Sequence, residues 1–491
     1  MGVRPASPAR RALPDLTSVV AGLQPDRPVV GSTVTGCTLD SRAVQPGDLY
    51  AALPGARAHG ADFAAAAAAA GASAILTDPA GAGRCAAYDL PVLVADDPRG
   101  VLGAVAAWVH DDPSAAMLVL GVTGTNGKTT TAFLLDAGLC AAGHTTGLLG
   151  TVVTRIGETA VPSLRTTPEA PDLQALFATM RERGVTAVAM EVSSHALALG
   201  RVDGVRFDTS VFTNLSQDHL DFHPSMAAYE AAKAALFTPA RSRRGVVDID
   251  DAAGRRLLAT ASIPITTYGE QGQWRAADVD LRADGSTFRL VGPGVDVPAS
   301  VRLPGAFNVS NALAALACLV VAGIPIADAV RGIASLAGVP GRMERIDAGQ
   351  PFTAIVDYAH TPEAVTTLLA AVRALTGGRV VVVLGCGGDR DRGKRPLMGR
   401  AAVQGADLAV LTSDNPRSED PNAILAEMAP PGAIVEPDRR RAIELAVRDA
   451  RSGDVVVVAG KGHESGQEIS GVVTPFDDRQ VLREALLAVR T

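Results

Sequence analysis

Met117-Leu118-Val119-Leu120-Gly121-Val122-Thr123-Gly124-Thr125-Asn126-Gly127-Lys128-Thr129-Thr130 is the stretch whose reading decides the fold. Residues 117–122 form an unbroken apolar run that reads as a buried strand, and 129–142 has helical composition. A Gly-rich turn between strand and helix aims backbone N–H groups and the helix's positive end at one point, which suits a phosphate. Within it, Gly124 and Gly127 supply the turn, Lys128 the charge for terminal phosphates and Thr129 a hydroxyl for Mg²⁺, flanked by Thr125, Asn126 and Thr130. Strict GxxxxGK[ST] spacing asks for Gly at 122, where Val122 stands, so the loop is a variant. On the loop alone, a kinase or a small GTPase remains open.

Outward from this loop, further strands are expected at 187–192 and 211–214. Upstream, short apolar runs at 48–53, 74–77 and 92–94 alternate with Ala-rich segments, and the Ala run 64–70 is helical by propensity. Downstream of Gly338-Val339-Pro340-Gly341, strands at 354–357, 380–384, 408–412 and 455–458 alternate with helices, the pattern of a parallel α/β unit. Breaks at Asp111-Asp112-Pro113-Ser114 and at 338–341 divide the chain into 1–112, 113–340 and 341–491. The expected architecture is α/β in three domains. A small first domain precedes a central mononucleotide-binding domain with a mostly parallel sheet, and a Rossmann-like domain follows.

The 491 residues suffice for three such units. With 47% hydrophobic and 20% charged residues and no apolar run near the roughly 20 residues of a membrane span, no membrane insertion is expected. A formal charge of −7 argues against nucleic acid as a partner, so phosphate must be bound locally. Five scattered cysteines without a CxxC pair argue against a disulfide framework or thiolate zinc site and fit a reducing cytoplasm. The N-terminus carries basic residues but no continuous apolar segment before Pro14, so it reads as a frayed tail rather than a secretory signal.

Glu191-Val192-Ser193-Ser194-His195 lies at the end of an apolar strand, the edge where ligands bind open α/β sheets, and a hard carboxylate there suits Mg²⁺. The following segment, 213–223, packs acids and imidazoles around His219 as a second candidate ligand set. Lys233 sits in an Ala-rich helix where a lysine is by default a solvated surface residue.

Taken together, these motifs resemble the Mur ligase family, the ATP-dependent amide-forming enzymes of peptidoglycan precursor synthesis. Gly-Thr-Asn-Gly-Lys-Thr-Thr, Glu-Val-Ser-Ser-His, 214–223 and Tyr229-Glu230-Ala231-Ala232-Lys233 occur in family order. So do 39–42, 307–311, 341–344 and 357–362, and the resemblance spans nearly the whole chain. Asp414-Asn415-Pro416-Arg417, preceded by 385–396, is similar to the branch that adds meso-diaminopimelate. An arginine fork reads that amino acid's second carboxylate, which lysine lacks.

The resemblance implies an acyl-phosphate ligase acting on a UDP-N-acetylmuramoyl dipeptide, with ATP and Mg²⁺. It implies catalytic roles for Lys128, Glu191, His219 and Lys233, with metal held by Thr129, Glu191, His219 and a CO₂-derived carbamate on Lys233. Asn308, Asn311, Arg342, Asp357 and His360 are implied in ATP binding. Leu39, Ser41, Ala56, Arg57, Ala58, Thr166, Thr167, Ser193 and Arg201 are implied for the UDP-muramoyl peptide. Arg390, Asp414, Asn415, Pro416, Arg417, Gly460 and Glu464 are implied for diaminopimelate. Where several relatives carry Gln, this chain has Leu199. A monomer whose third domain closes on the second is expected. The rival readings are a lysine-adding homologue, a folylpolyglutamate synthase-like ligase and a phosphate-loop regulatory ATPase.

Overall fold

The computed structural model describes residues 3–162 and 165–489. Its central sheet is built on the strand Leu118–Thr123, whose alternate side chains enter different cores. Leu120 and Val122 pack with Leu134, Leu316 and Leu319, whereas Val119 packs with Leu173, Phe177 and Met180 on the opposite face. A strand buried on both faces reads as a continuous apolar run because period-two alternation has no solvent side to mark. Val122 is therefore a core residue, with no exposed surface.

Six strands of this sheet are parallel, in spatial order Thr146–Leu149, Ala187–Glu191, Leu118–Thr123, Thr209–Phe212, Gly245–Asp248 and Ile265–Tyr268. Strands Thr154–Ile156 and Thr159–Val161 extend one edge antiparallel. The chain leaves Leu118–Thr123 towards one side and later returns on the other, so Glu191 and Thr213 flank the loop at the switch point where open α/β sheets take ligands. A separate antiparallel sheet, Arg275–Arg282, Gly285–Gly292 and Val295–Val301, covers helices Ala306–Val321 and Ile326–Ser335, a layer absent from the sequence reading.

The N-terminal sheet orders Gln24–Pro25, Val92–Val94, Ala74–Thr77, Asp48–Ala51 and Gly36–Thr38, parallel except at its first strand. The C-terminal sheet orders Glu344–Arg345, Thr353–Asp357, Val455–Ala459, Val380–Cys386, Leu408–Ser413 and Ile434–Val435, again parallel except at its first strand. No helix among the described residues is long and apolar enough to cross a membrane.

The described part of the N-terminus is not frayed. Arg4 Nη1 pairs with the buried Asp48 Oδ1 at 2.7 Å, and Ala6 N and Ser7 N donate to Glu182 at 2.8 and 2.9 Å. Arg11 pairs with Asp111, and Arg11–Ala12 adds a short strand to Thr33–Val34. Helix Ala170–Glu182, which receives this arm, also packs on helix Pro98–Val109, so the arm straps the first unit to the second. Unpaired, a buried carboxylate such as Asp48 would be costly, which favours keeping Arg4 in place.

Candidate active site

The turn from Thr123 to Lys128 reverses the chain in four residues. Gly124 (φ 148°) and Gly127 (φ 86°) occupy backbone regions that strain an L side chain. A Cβ on either would collide, with Thr213 Oγ1 in one case and Asn311 Oδ1 in the other. Lys128 Nζ donates to Gly124 O and Thr125 O at 3.0 and 2.8 Å, so its ammonium folds back over the loop.

Glu191 ends its strand 1% exposed and is gripped from two sides. Its Oε2 accepts from Thr129 Oγ1 at 3.0 Å and Thr151 Oγ1 at 3.1 Å, and Oε1 accepts from Thr151 N at 2.7 Å. From the C-terminal unit, Arg342 Nη2 donates to Thr129 Oγ1 at 3.1 Å while its guanidinium lies 4.2 Å above the Tyr358 ring. These groups border a cavity of about 310 Å³ lined by residues 125–130, Glu191, Asn311, Arg342, Asp357 and His360, with Phe307, Tyr358 and Leu368 adding apolar wall. Asn308 stands behind it, donating to Pro304 O and accepting from Asn311 Nδ2 at 3.1 Å, so it orients Asn311 rather than facing the cavity. Asp357 is occupied by the N–H groups of Met343 and Ala359.

Thr129 Oγ1 and Glu191 Oε2 are hard oxygen donors close enough to share one Mg²⁺. No group of three His, Cys, Asp or Glu among the described residues could hold a metal alone. Mg²⁺ commonly takes one or two carboxylates and completes its shell with phosphate oxygens and water.

Lys233 is not a surface lysine. It is 1% exposed, with Nζ 2.6 Å from Gly124 O and 4.5 Å from the Tyr229 ring centre. Burial, reinforced by the nearby Lys128 and opposed by Asp218, holds its pKa well below the usual lysine value. His219, at φ 56°, leans on Asp218 at 3.4 Å, and burial pushes its ring down to about 3. Asp218 itself is buried beside Lys394 Nζ (3.3 Å) and His360 Nε2 (3.6 Å), both from the C-terminal unit. Burial would raise its pKa, but the His360 hydrogen bond and these charges overcome it and hold the carboxyl well below the usual range.

Apart from Arg390, which follows strand Val380–Cys386, the residues expected to hold the amino acid cluster at the carboxyl ends of two C-terminal strands, Leu408–Ser413 and Val455–Ala459. Asn415 Nδ2 donates to Glu464 Oε2 at 2.8 Å, and the wholly buried Lys461 donates to both Asn415 Oδ1 (3.0 Å) and Glu464 Oε2 (2.9 Å). Arg417 takes a left-handed backbone (φ 53°), donates from Nη1 to Gly388 O, and is clamped by backbone bonds to the hairpin Gly466–Ile469/Val472–Pro475. A Cβ on Gly460 would press on Asp414 Oδ2. Arg390 is half exposed, 3.8 Å from Asp221.

Sequence reasoning missed Arg439, which anchors both strand ends. Fully buried with Asp478, it donates to Ser413 O and Ala459 O, one residue before Asp414 and Gly460. It stands first in Arg439-Arg440-Arg441, whose other two members are exposed, so composition gives it no signal.

The residues expected for the nucleotide-sugar peptide are more dispersed. Ala56, Arg57 and Ala58 form an exposed loop, and Leu39 packs beside the N-terminal core. Thr166 Oγ1 meets Thr151 Oγ1 at 2.9 Å. Thr167 is fully buried, donating to Glu191 O, and Ser193 caps helix Ser194–Ala198. Arg201 pairs with Glu169 at 2.8 Å, and the Leu199 carbonyl accepts from Arg99 Nη1 at 3.4 Å.

Comparison with known proteins gives the same picture along the whole chain. Residues 33–110 match the model described as Mur ligase family, catalytic domain. Residues 122–319 match the Mur ligase middle domain, and 341–462 the Mur ligase, glutamate ligase domain. The chain is 56% identical over 499 residues to UDP-N-acetylmuramoyl-L-alanyl-D-glutamate--2,6-diaminopimelate ligase of Streptomyces avermitilis, with 98% of each chain covered. Identity to the same-named protein of Streptomyces coelicolor is 55%, also covering 98% of each. A solved structure of a UDP-N-acetylmuramoyl-L-alanyl-D-glutamate--2,6-diaminopimelate ligase superimposes with a TM-score of 0.66 at 35% identity, covering 95% of this chain and 97% of that one.

Proposed function

The chain belongs to the Mur ligase family, and on that premise we propose that it joins meso-2,6-diaminopimelate to the D-glutamyl γ-carboxylate of UDP-N-acetylmuramoyl-L-alanyl-D-glutamate at the expense of ATP. The observation that carries this reading is the junction at Thr129. Glu191 of the central unit and Arg342 of the C-terminal unit both reach its hydroxyl, so a terminal phosphate bound there lies between the phosphate loop and the unit bearing Arg417 and Glu464.

The γ-carboxylate attacks the γ-phosphoryl group, giving an acyl phosphate and ADP. The amine of diaminopimelate then attacks the acyl carbon, loses a proton, and expels inorganic phosphate as the amide forms. Two anions must meet in the first step, so positioning and charge neutralisation dominate. Lys128 and Arg342 supply fixed positive charge, and Thr129 with Glu191 would hold the Mg²⁺ that screens the phosphates. Phe307, Tyr358 and Leu368 offer adenine an apolar slot, with Asn311 and His360 at its polar rim.

Lys233 supports a carbamate role because its burial favours the uncharged amine, the form that adds to CO₂, releasing one proton and leaving an anion. That anion, with the neutral ring of His219, would serve a second Mg²⁺. Arg417 would take the distal carboxylate of diaminopimelate, Glu464 its ammonium, and Arg390 a further carboxylate, with Asp414, Asn415, Pro416 and Gly460 shaping the pocket. Residues 1–112 would hold the UDP end through Leu39, Ser41 and 56–58. Residues 113–340 would hold ATP and, through Thr166, Thr167, Ser193 and Arg201, the peptide. Residues 341–491 would hold the amino acid. We read the protein as a cytoplasmic monomer.

The test is phosphate release from ATP, Mg²⁺ and the UDP-muramoyl dipeptide with either meso-diaminopimelate or L-lysine added. Stimulation by diaminopimelate is expected. Stimulation by lysine alone overturns the specificity, and none by either overturns the ligase reading.

A further inference from the structure

His463 follows Gly462 and precedes Glu464, yet its ring points out of the amino-acid pocket and across the junction. Its Nε2 lies 3.1 Å from Thr151 O, a backbone carbonyl 312 residues away in the central unit. With an acceptor there, Nε2 carries the proton, and burial pushes the ring down to about 4, so the donor is a neutral imidazole. Thr151 is the residue whose N–H and hydroxyl grip Glu191. A single residue, Thr151, therefore carries both a hydrogen bond from the amino-acid segment and hydrogen bonds to the carboxylate beside Thr129.

A second contact runs alongside. The His463 ring packs on Tyr358 at 5.4 Å between centroids, and Tyr358 carries the Arg342 guanidinium that reaches Thr129 Oγ1. Both routes start at one side chain and end on the same Thr129–Glu191 pair. The other end is equally fixed, because Glu464 is tied to Asn415 and Lys461, so His463 moves only if the amino-acid segment moves.

We infer that His463 is a positioning residue that couples the amino-acid pocket to Glu191. An amino acid that orders 460–464 thereby fixes Thr151 and, through it, the carboxylate beside the ATP phosphates. The inference rests on the function proposed above for the two pockets. Such coupling is reciprocal: whatever factor the amino acid adds to nucleotide affinity, the nucleotide adds to amino-acid affinity.

Calorimetry measures it without turnover. ADP affinity is determined in the presence of Mg²⁺ and the UDP-muramoyl dipeptide, with and without meso-diaminopimelate, for the native chain, His463→Ala and His463→Gln. The native chain is expected to bind ADP about 5- to 100-fold tighter when diaminopimelate is present, the usual span of such couplings. His463→Ala reduces that factor to about one, with ADP affinity in the absence of diaminopimelate within about twofold of native, a near-unit factor being what loss of coupling means. His463→Gln, whose amide N–H can reach the same carbonyl, retains most of it. A purely structural role would weaken both affinities in both variants and leave the factor intact. Undiminished coupling in His463→Ala, or none in the native chain, overturns the relay. Failure of the native chain to bind diaminopimelate at all overturns the proposed function and the relay with it.

Discussion

Arg439 and Asp478 form an ion pair at 2.6 Å with neither side chain exposed, and the same guanidinium holds the ends of the two strands that launch the 414–417 and 460–464 segments. Removing one partner of a buried pair costs about 3–5 kcal/mol because the other charge is left without compensation. Asp478→Ala is therefore expected to lower the denaturant midpoint and to raise the diaminopimelate KM, leaving the ATP KM close to native. Equal changes in both KM values would contradict a local role for Arg439.

Arg417 is presented by strained backbone and two clamped edges, so its fork is set before substrate arrives. Charge-assisted hydrogen bonds contribute about 1.5–3 kcal/mol, roughly 10- to 100-fold in kcat/KM. Arg417→Lys keeps the charge and loses the fork. It should reduce diaminopimelate kcat/KM by that range while leaving the ATP KM unchanged, as steady-state kinetics would register.

Lys233 tests the carbamate directly. In protein freed of CO₂, ligase activity should fall and return on adding bicarbonate, with labelled bicarbonate giving a carbamate signal in carbon NMR. Lys233→Arg cannot form it and should be inactive at every bicarbonate concentration. Full activity of that variant would remove the carbamate from the mechanism.

His110 is 4% exposed at the first-to-second unit junction, and burial, assisted by Arg4, pushes its ring down to about 4. The unfolded chain titrates near 6.5 and so binds more protons between those values; stability is full above about pH 6.5 and is lost on acidification towards pH 4. The loss attributable to this one group approaches about 3 kcal/mol. His110→Gln should flatten that part of the stability–pH curve, measured by urea unfolding at steps from pH 7 to 4.

The sequence disclosed those parts of the molecule in which each residue answers to its neighbours along the chain. Runs such as Val380–Cys386 are strands buried on both faces, and their boundaries lay within a residue or two of the expected ones. The 275–301 sheet escaped because its outer positions, Arg275, Asp280 and Arg289 among them, are polar and interrupt the apolar pattern. Motif residues 124–130, Glu191, Asn415, Arg417 and Glu464 meet at two connected sites. Thr151 and Arg439 were invisible for the opposite reason. Each works through partners set by topology, and Thr151 looks like an ordinary polar residue.

The strap from Arg4 to Asp48 and from residues 6 and 7 to Glu182 also bears on how the protein is made. Residues 6 and 7 are synthesised well before the helix Ala170–Glu182 on which they dock, which emerges more than 160 residues later. Closing so wide a loop is slow relative to local structure. The first unit is thus assembled early and sealed to the second late. Arg4→Ala would leave the buried Asp48 without its counter-ion, with a stability cost of about 2 kcal/mol for the lost charge-assisted bond and reduced yield of folded chain in pulse-proteolysis of nascent protein.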